Sequence, residues 1–148
     1  MFTLTVSPES WKDGTFISQH HAHTQTGDGK VHLILKGTVS PKELKGQHKI
    51  LWAPMRLILK IPLRQALPKN QWFRIEQWAP QIVLSGMSHG NDTQDFGYEI
   101  RWTKLRNSPY TPVKEIQIEA EIALRDEQSQ IHQLNYHIDL IGLFVKGT

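Results

Sequence analysis

Along most of this chain apolar and polar residues alternate with a period of two, the spacing of strands that bury one face. In "DFGYEIRWT", Phe96, Tyr98, Ile100 and Trp102 fall on one side and Asp95, Glu99, Arg101 and Thr103 on the other. "KEIQIEAEIALR" sets Ile116, Ile118, Ala120, Ile122 and Leu124 against Gln117, Glu119, Glu121 and Arg125. "IHQLNYHIDL" sets Leu134, Tyr136, Ile138 and Leu140 against Gln133, Asn135, His137 and Asp139. Weaker alternation predicts strands over 2–6, 15–25, 31–39, 47–61 (interrupted at Pro54), 72–78 and 81–86.

That makes about nine strands and leaves little room for helix. Single helical turns are expected in "SPKELKG", with Ser40 as cap, and between Pro62 and Pro68. Strands with one polar face, joined by Gly- and Pro-containing turns, predict an all-β fold. Residues 1–148 read as one domain, a mainly antiparallel β-sandwich of jelly-roll type. The alternative is a calycin-like β-barrel, whose cavity Phe96, Tyr98, Trp102, Tyr136 and Leu140 would line.

One hairpin follows in detail. Asp28-Gly29 suits a two-residue turn. That register places Ala22 opposite Leu35 and His20 opposite Gly37 on an apolar face. The other face then pairs Gln25 with His32, His23 with Ile34 and His21 with Lys36. A one-residue change in the turn reverses every assignment.

Charge adds an asymmetry that the net value of +3 hides. Residues 30–75 hold ten Lys/Arg and one acid, while the segments before and after are acidic. Within this stretch Trp52, Arg56, Lys60, Arg64, Lys69, Trp72 and Arg74, with Trp78 beyond it, form a candidate basic and aromatic surface. An acidic or mixed protein partner suits it. Phosphates with stacked bases also suit it, which makes single-stranded nucleic acid the second partner class. Glu119 and Glu121, outward on a later strand, are expected beside Arg56 and Lys60, where they would neutralise them.

The absence of cysteine removes disulfides and thiolate chemistry, and leaves zinc only His or carboxylate ligands. His21, His23 and His32 are the metal candidates, because the register above brings all three to one face. The opposing Lys36 disfavours a cation there. "SGMSHGND" spells the G-x-S-x-G of a nucleophile elbow at Ser88, but the pattern calls for a helix after it and a strand follows. The stretch therefore reads as a connecting loop, with Ser88, His89 and Asn91 as candidate partner contacts.

"RNSPYTP" matches a polyproline-ligand pattern and reads as a stiff connection. The first residues lack the basic start and apolar core of a signal peptide, and no apolar run approaches roughly 20 residues. A soluble, cytoplasmic protein without membrane partners is expected, in which the sequon at Asn91 stays idle. The leading functional expectation is a non-enzymatic interaction or assembly module without cofactor. It would bind its partner through strand edges and the basic surface of residues 30–75, with homo-oligomerisation left open. A small-ligand-binding barrel, a nucleic-acid binder and a His-based metal site are the alternatives.

Overall fold

The computed structural model describes residues 2–7, 14–42, 44–46, 52–88, 97–125 and 128–147. Nine strands follow in chain order: β1 Phe2–Val6, β2 Gly14–Gln25, β3 Val31–Pro41, β4 Trp52–Pro62, β5 Gln71–Ser88, β6 Gly97–Leu105, β7 Pro112–Val113, β8 Glu115–Arg125 and β9 Gln130–Lys146. They form a four-stranded sheet in the order β1-β4-β8-β6 and a five-stranded sheet in the order β2-β3-β9-β5-β7. Among the described residues only the β1–β4 ladder is parallel. The fold is an all-β sandwich, and the calycin-like barrel is excluded because neither sheet closes on itself. From β3 onward each successive strand crosses to the opposite sheet.

Period-two alternation builds the core. Met55, Leu57, Leu59 and Ile61 of β4 and Ile116, Ile118, Ala120 and Ile122 of β8 turn inward from one sheet. Leu33 and Leu35 of β3, Ile75 of β5, and Leu134, Ile138 and Leu140 of β9 meet them from the other. The β4–β8 register places Leu57 opposite Ala120 and Leu59 opposite Ile118, so the two inward rows meet directly across the ladder.

Local devices shift four of the expected assignments. The first hairpin turns through three residues, Gly27-Asp28-Gly29, rather than two. Gly29 N–H donates to the Thr26 carbonyl at 3.1 Å, and Gly29 adopts a φ of +84°. This is the type I turn closed by a left-handed glycine, and it moves the register by one residue. His21 therefore pairs with Leu35, His23 with Leu33, and His20 with Lys36.

The second shift lies in β6, where a bulge between Ile100 and Trp102 puts Trp102 opposite Glu121 on the outer face. Trp102 thus leaves the face it was expected to share with Tyr98 and Ile100. Third, the strands expected over 72–78 and 81–86 are one continuous β5. Pro80 does not break it because β7 covers β5 only at Phe73 and Arg74, so Pro80 lies on an open edge where its missing N–H costs no ladder bond. Fourth, Ser40 caps no helix: β3 runs on through Pro41, pairing Ser40 with Thr15 and Pro41 with Gly14. The turn between Pro62 and Pro68 does form, as a 3-10 helix over Arg64–Ala66.

The corrected register puts Gln19, and not His20, opposite Gly37 on the β2 side. Tyr136 pairs with it from β9 and fills the space above it. A methyl on Gly37 would stand 2.4 Å from the Ser18 carbonyl oxygen and 2.4 Å from the Tyr136 hydroxyl. Gly37→Ala is therefore expected to destabilise the fold by about 1–3 kcal/mol, read by urea unfolding. Unchanged stability would contradict the packing of Tyr136 across β3.

Candidate functional site

The expected basic surface divides into two parts with different surroundings. On the outer face of the four-stranded sheet, Glu119 is 6% exposed and carries three cations. Its carboxylate lies 2.9 Å from Arg56 Nε, 3.6 Å from Lys104 Nζ and 3.5 Å from Arg106 Nε. The Arg56 contact is a charge pair without hydrogen-bond alignment, since Nε has no hydrogen-bond partner. Arg101 bridges Glu99 and Glu121 beside it. Trp102 lies under Arg56, at 6.0 Å, and Lys104, at 5.2 Å, as a cation–π platform. Arg56 is thus neutralised as the alternation anticipated, whereas Lys60 faces Gln117 rather than an acid.

Arg74 is paired as well. Glu76 receives it at 3.1 Å and receives Lys30 at 2.9 Å, tying the first hairpin to β5. The Lys30 hydrogen bond, with Arg74 second, holds the Glu76 carboxyl below its ordinary range.

Arg64 and Lys69 sit differently, at the end of the sandwich where β4 turns into β5. Leu63 and Ala66 are buried and anchor the 3-10 helix, so Arg64 and Gln65 between them point outward. Leu63 N–H donates to the Lys114 carbonyl at 2.9 Å, bringing Lys114 to the same end. Lys114 Nζ rests 5.0 Å from the Trp72 ring. Arg64, Lys69 and Lys114 border one cleft of about 340 Å³, closed by Pro68, Asn70 and Gln71. Arg64 also borders a second cleft of about 220 Å³, which reaches inward to Tyr136. No Asp or Glu among the described residues lines either one.

The remaining aromatic candidates lie elsewhere. Trp52, 37% exposed, begins β4 at the end of that strand away from the 3-10 helix and packs against Gly97. Trp78, 42% exposed, stands on the open stretch of β5. Of the expected surface, only Arg64, Lys69 and Trp72 converge.

The metal candidates separate. His21 and His23 lie on the inward-facing side of β2, where His23 packs edge-on against Phe144 at 5.5 Å. His32 lies on the outer face and contacts Asp139 at 2.9 Å, while His137 reaches the other oxygen of the same carboxylate at 3.0 Å. The His32 hydrogen bond, followed by His137, keeps the Asp139 carboxyl below its usual range. No cluster of three metal-ligating side chains occurs among the described residues. The register change in the hairpin turn is the cause.

Ser88 closes β5, and its hydroxyl lies 2.6 Å from His132 Nε2 across the ladder to β9. The ring nitrogen can accept the hydroxyl proton. Both groups are exposed on the sheet, and no oxyanion-binding helix terminus accompanies them among the described residues. His89 and Asn91 lie outside the described residues. Among the described residues no helix is long and apolar enough to cross a membrane.

Comparison with protein-family models, with curated proteins and with solved structures finds no match. One contributor to the cationic end was missed in the sequence. Lys114 lies far from residues 30–75 in sequence, and the Pro112–Val113 pairing with β5 together with the Leu63–Lys114 backbone hydrogen bond brings it there. Tyr136, an inward strand residue expected to line a cavity only in the barrel alternative, borders the second cleft of the sandwich.

Glu76 supplies a pH test. A carboxylate with a lowered folded-state pKa contributes stability above its unfolded value, near 4, and loses it as pH falls through the folded value. Wild type and Glu76→Gln are expected to differ in thermal stability at neutral pH and to converge in acid. A gap that persists undiminished in acid, where the carboxylate and its ion pairs are lost, would contradict the ion-paired geometry.

Proposed function

We propose that the chain is a non-enzymatic binding module that takes an acidic protein segment at the cationic end of the sandwich. The observation that carries this reading is the grouping of Arg64, Lys69 and Lys114 around a cleft that no described carboxylate lines. On the four-stranded sheet the cations already have carboxylates, and an incoming acid would have to displace Glu119 or Glu121. At the end of the sandwich the described lining of the cleft holds no such acid to displace. Complementary charge there steers encounter and fixes orientation.

Beyond Ile75, whose carbonyl accepts the Tyr110 N–H, the β5 edge has no strand partner among the described residues and offers backbone groups that an extended partner segment can pair with. The exposed Trp78 on that stretch supplies an apolar anchor of the kind interfaces favour. Trp72 is covered by Lys114 and is not offered as a stacking platform, which favours a protein over single-stranded nucleic acid.

A fluorescent Glu/Asp-rich dodecapeptide and an oligothymidylate of the same length test the reading by anisotropy across a salt series. The peptide is expected to bind at low salt. The double variant Lys69→Glu/Lys114→Glu should weaken that binding by about tenfold or more, whereas Lys36→Glu on the outer face of β3 leaves it unchanged. Binding that ignores the double variant, no binding at low salt, or tighter binding of the oligonucleotide would each overturn the reading.

A further inference from the structure

β2 ends the five-stranded sheet and pairs with β3 alone, so one of its sides is open. Thr26 N–H donates to the Lys30 carbonyl at 2.7 Å, a bonded pair that sets the alternation of the β2–β3 ladder. Ala22 and Thr24 then bond to β3, while the N–H and C=O groups of His21 and His23 point to the open side. The two imidazoles share one face of the strand, and both residues are exposed. Neither makes a hydrogen bond or ion pair among the described residues. The Phe144 ring, perpendicular to that of His23 at 5.5 Å, restrains it from behind.

We infer that His21 and His23 are half of a transition-metal site that a second copy of this chain completes. A zinc ion takes four ligands, and one chain brings two to this face. An antiparallel second copy centred on Ala22 sets His21 opposite the partner's His23, and His23 opposite the partner's His21. The same four residues exchange the backbone hydrogen bonds that join the two edges. Their Cβ atoms stand roughly 5.5 Å apart across the junction and about 7 Å apart along each strand, close enough for four imidazoles to converge on one ion.

Charge favours a second copy as the occupant of this edge. Gly14–Gln25 contains no Asp, Glu, Lys or Arg, so two identical strands meet without like charges opposed. Exposed edges are commonly blunted by such charges, and this one is not. The missing half of the site is a pair of imidazoles two residues apart on an uncharged edge, which the chain itself carries. The corrected register also sends Lys36 to the other face, opposite His20, and so removes the cation that disfavoured a metal here. Arg64, which borders one cleft with His21, already has a partner. Nitrogen donors without carboxylate select zinc, nickel or copper over magnesium and calcium.

Untagged protein stripped with EDTA and titrated with zinc tests the site by sedimentation velocity, with native mass spectrometry for stoichiometry. A shift from monomer to dimer with one zinc per two chains is expected, and none with magnesium or calcium. His21→Asn and His23→Asn should each raise the zinc concentration for half-dimerisation by at least about tenfold. Ala22→Lys keeps every ligand but opposes two like charges at the two-fold axis, and should weaken dimerisation by about two- to fivefold. His32→Asn, on the other face, should change nothing. The site is independent of the acidic-partner reading: Lys69→Glu/Lys114→Glu should leave zinc dimerisation intact, and His23→Asn should leave peptide binding intact.

Zinc bound by a protein that stays monomeric would overturn the inference, as would no response to zinc. So would dimerisation that the His21 and His23 variants or Ala22→Lys leave undiminished, or that His32→Asn abolishes. Both imidazoles are exposed, and either variant decides alone if the other fails to fold.

Discussion

The two sheets are held together by burial of the inward rows of β4, β8, β3 and β9, and that constraint shapes every surface feature of the molecule. Once Leu57, Leu59, Ile118, Leu140 and their neighbours are committed to the core, each intervening side chain must turn to the outer face of its sheet. The sheets resolve this differently. The four-stranded sheet covers its outer face with a lattice of Arg, Lys and Glu centred on Glu119. The five-stranded sheet covers its own with shorter polar groups around Asp139. Twisted sheets packed face to face do not stay in register to their ends, and the end carrying the 3-10 helix is where the clefts open.

Charge is therefore a local quantity in this protein. The segment from 30 to 75 is strongly basic in the chain, but folding sends its members to different neighbours. Arg56 meets Glu119 across the β4–β8 ladder, Lys30 meets Glu76 across the five-stranded sheet, and Arg74 meets the same Glu76 two residues further along β5. Arg64 and Lys69 sit in a turn with no cross-strand neighbour, where no ladder can supply an acid. A basic run in a β protein is informative mainly where it leaves the ladder.

Much of the architecture was legible because period-two alternation reports burial directly. The inward rows of β8 and β9 fall where "KEIQIEAEIALR" and "IHQLNYHIDL" put them, and Glu119 beside Arg56 follows from the same alternation. What escaped depends on single-residue offsets. Asp28-Gly29 fits a two-residue turn as well as the left-handed end of a three-residue one, and only the ladder decides between them. That one residue moved His21 and His23 inward and separated them from His32. Likewise the bulge before Trp102 has no signature in "EIRWTK", yet it carries the ring to the outer face. Pro80 looked like a strand break because whether β5 has an outer neighbour is a tertiary fact. The cationic end was half visible: Arg64 and Lys69 stand in the basic run, while Lys114 arrives through β7.

The central claim is that recognition belongs to the end of the sandwich and not to the ion-paired sheet. Amide-shift mapping during titration with a Glu/Asp-rich peptide tests it most directly. Shifts concentrated over residues 64–71 and Lys114, with Arg56, Trp102 and Lys104 unmoved, are the predicted result. Shifts centred on Arg56, Trp102 and Lys104 would show that the partner breaks into the Glu119 lattice, and would contradict the account.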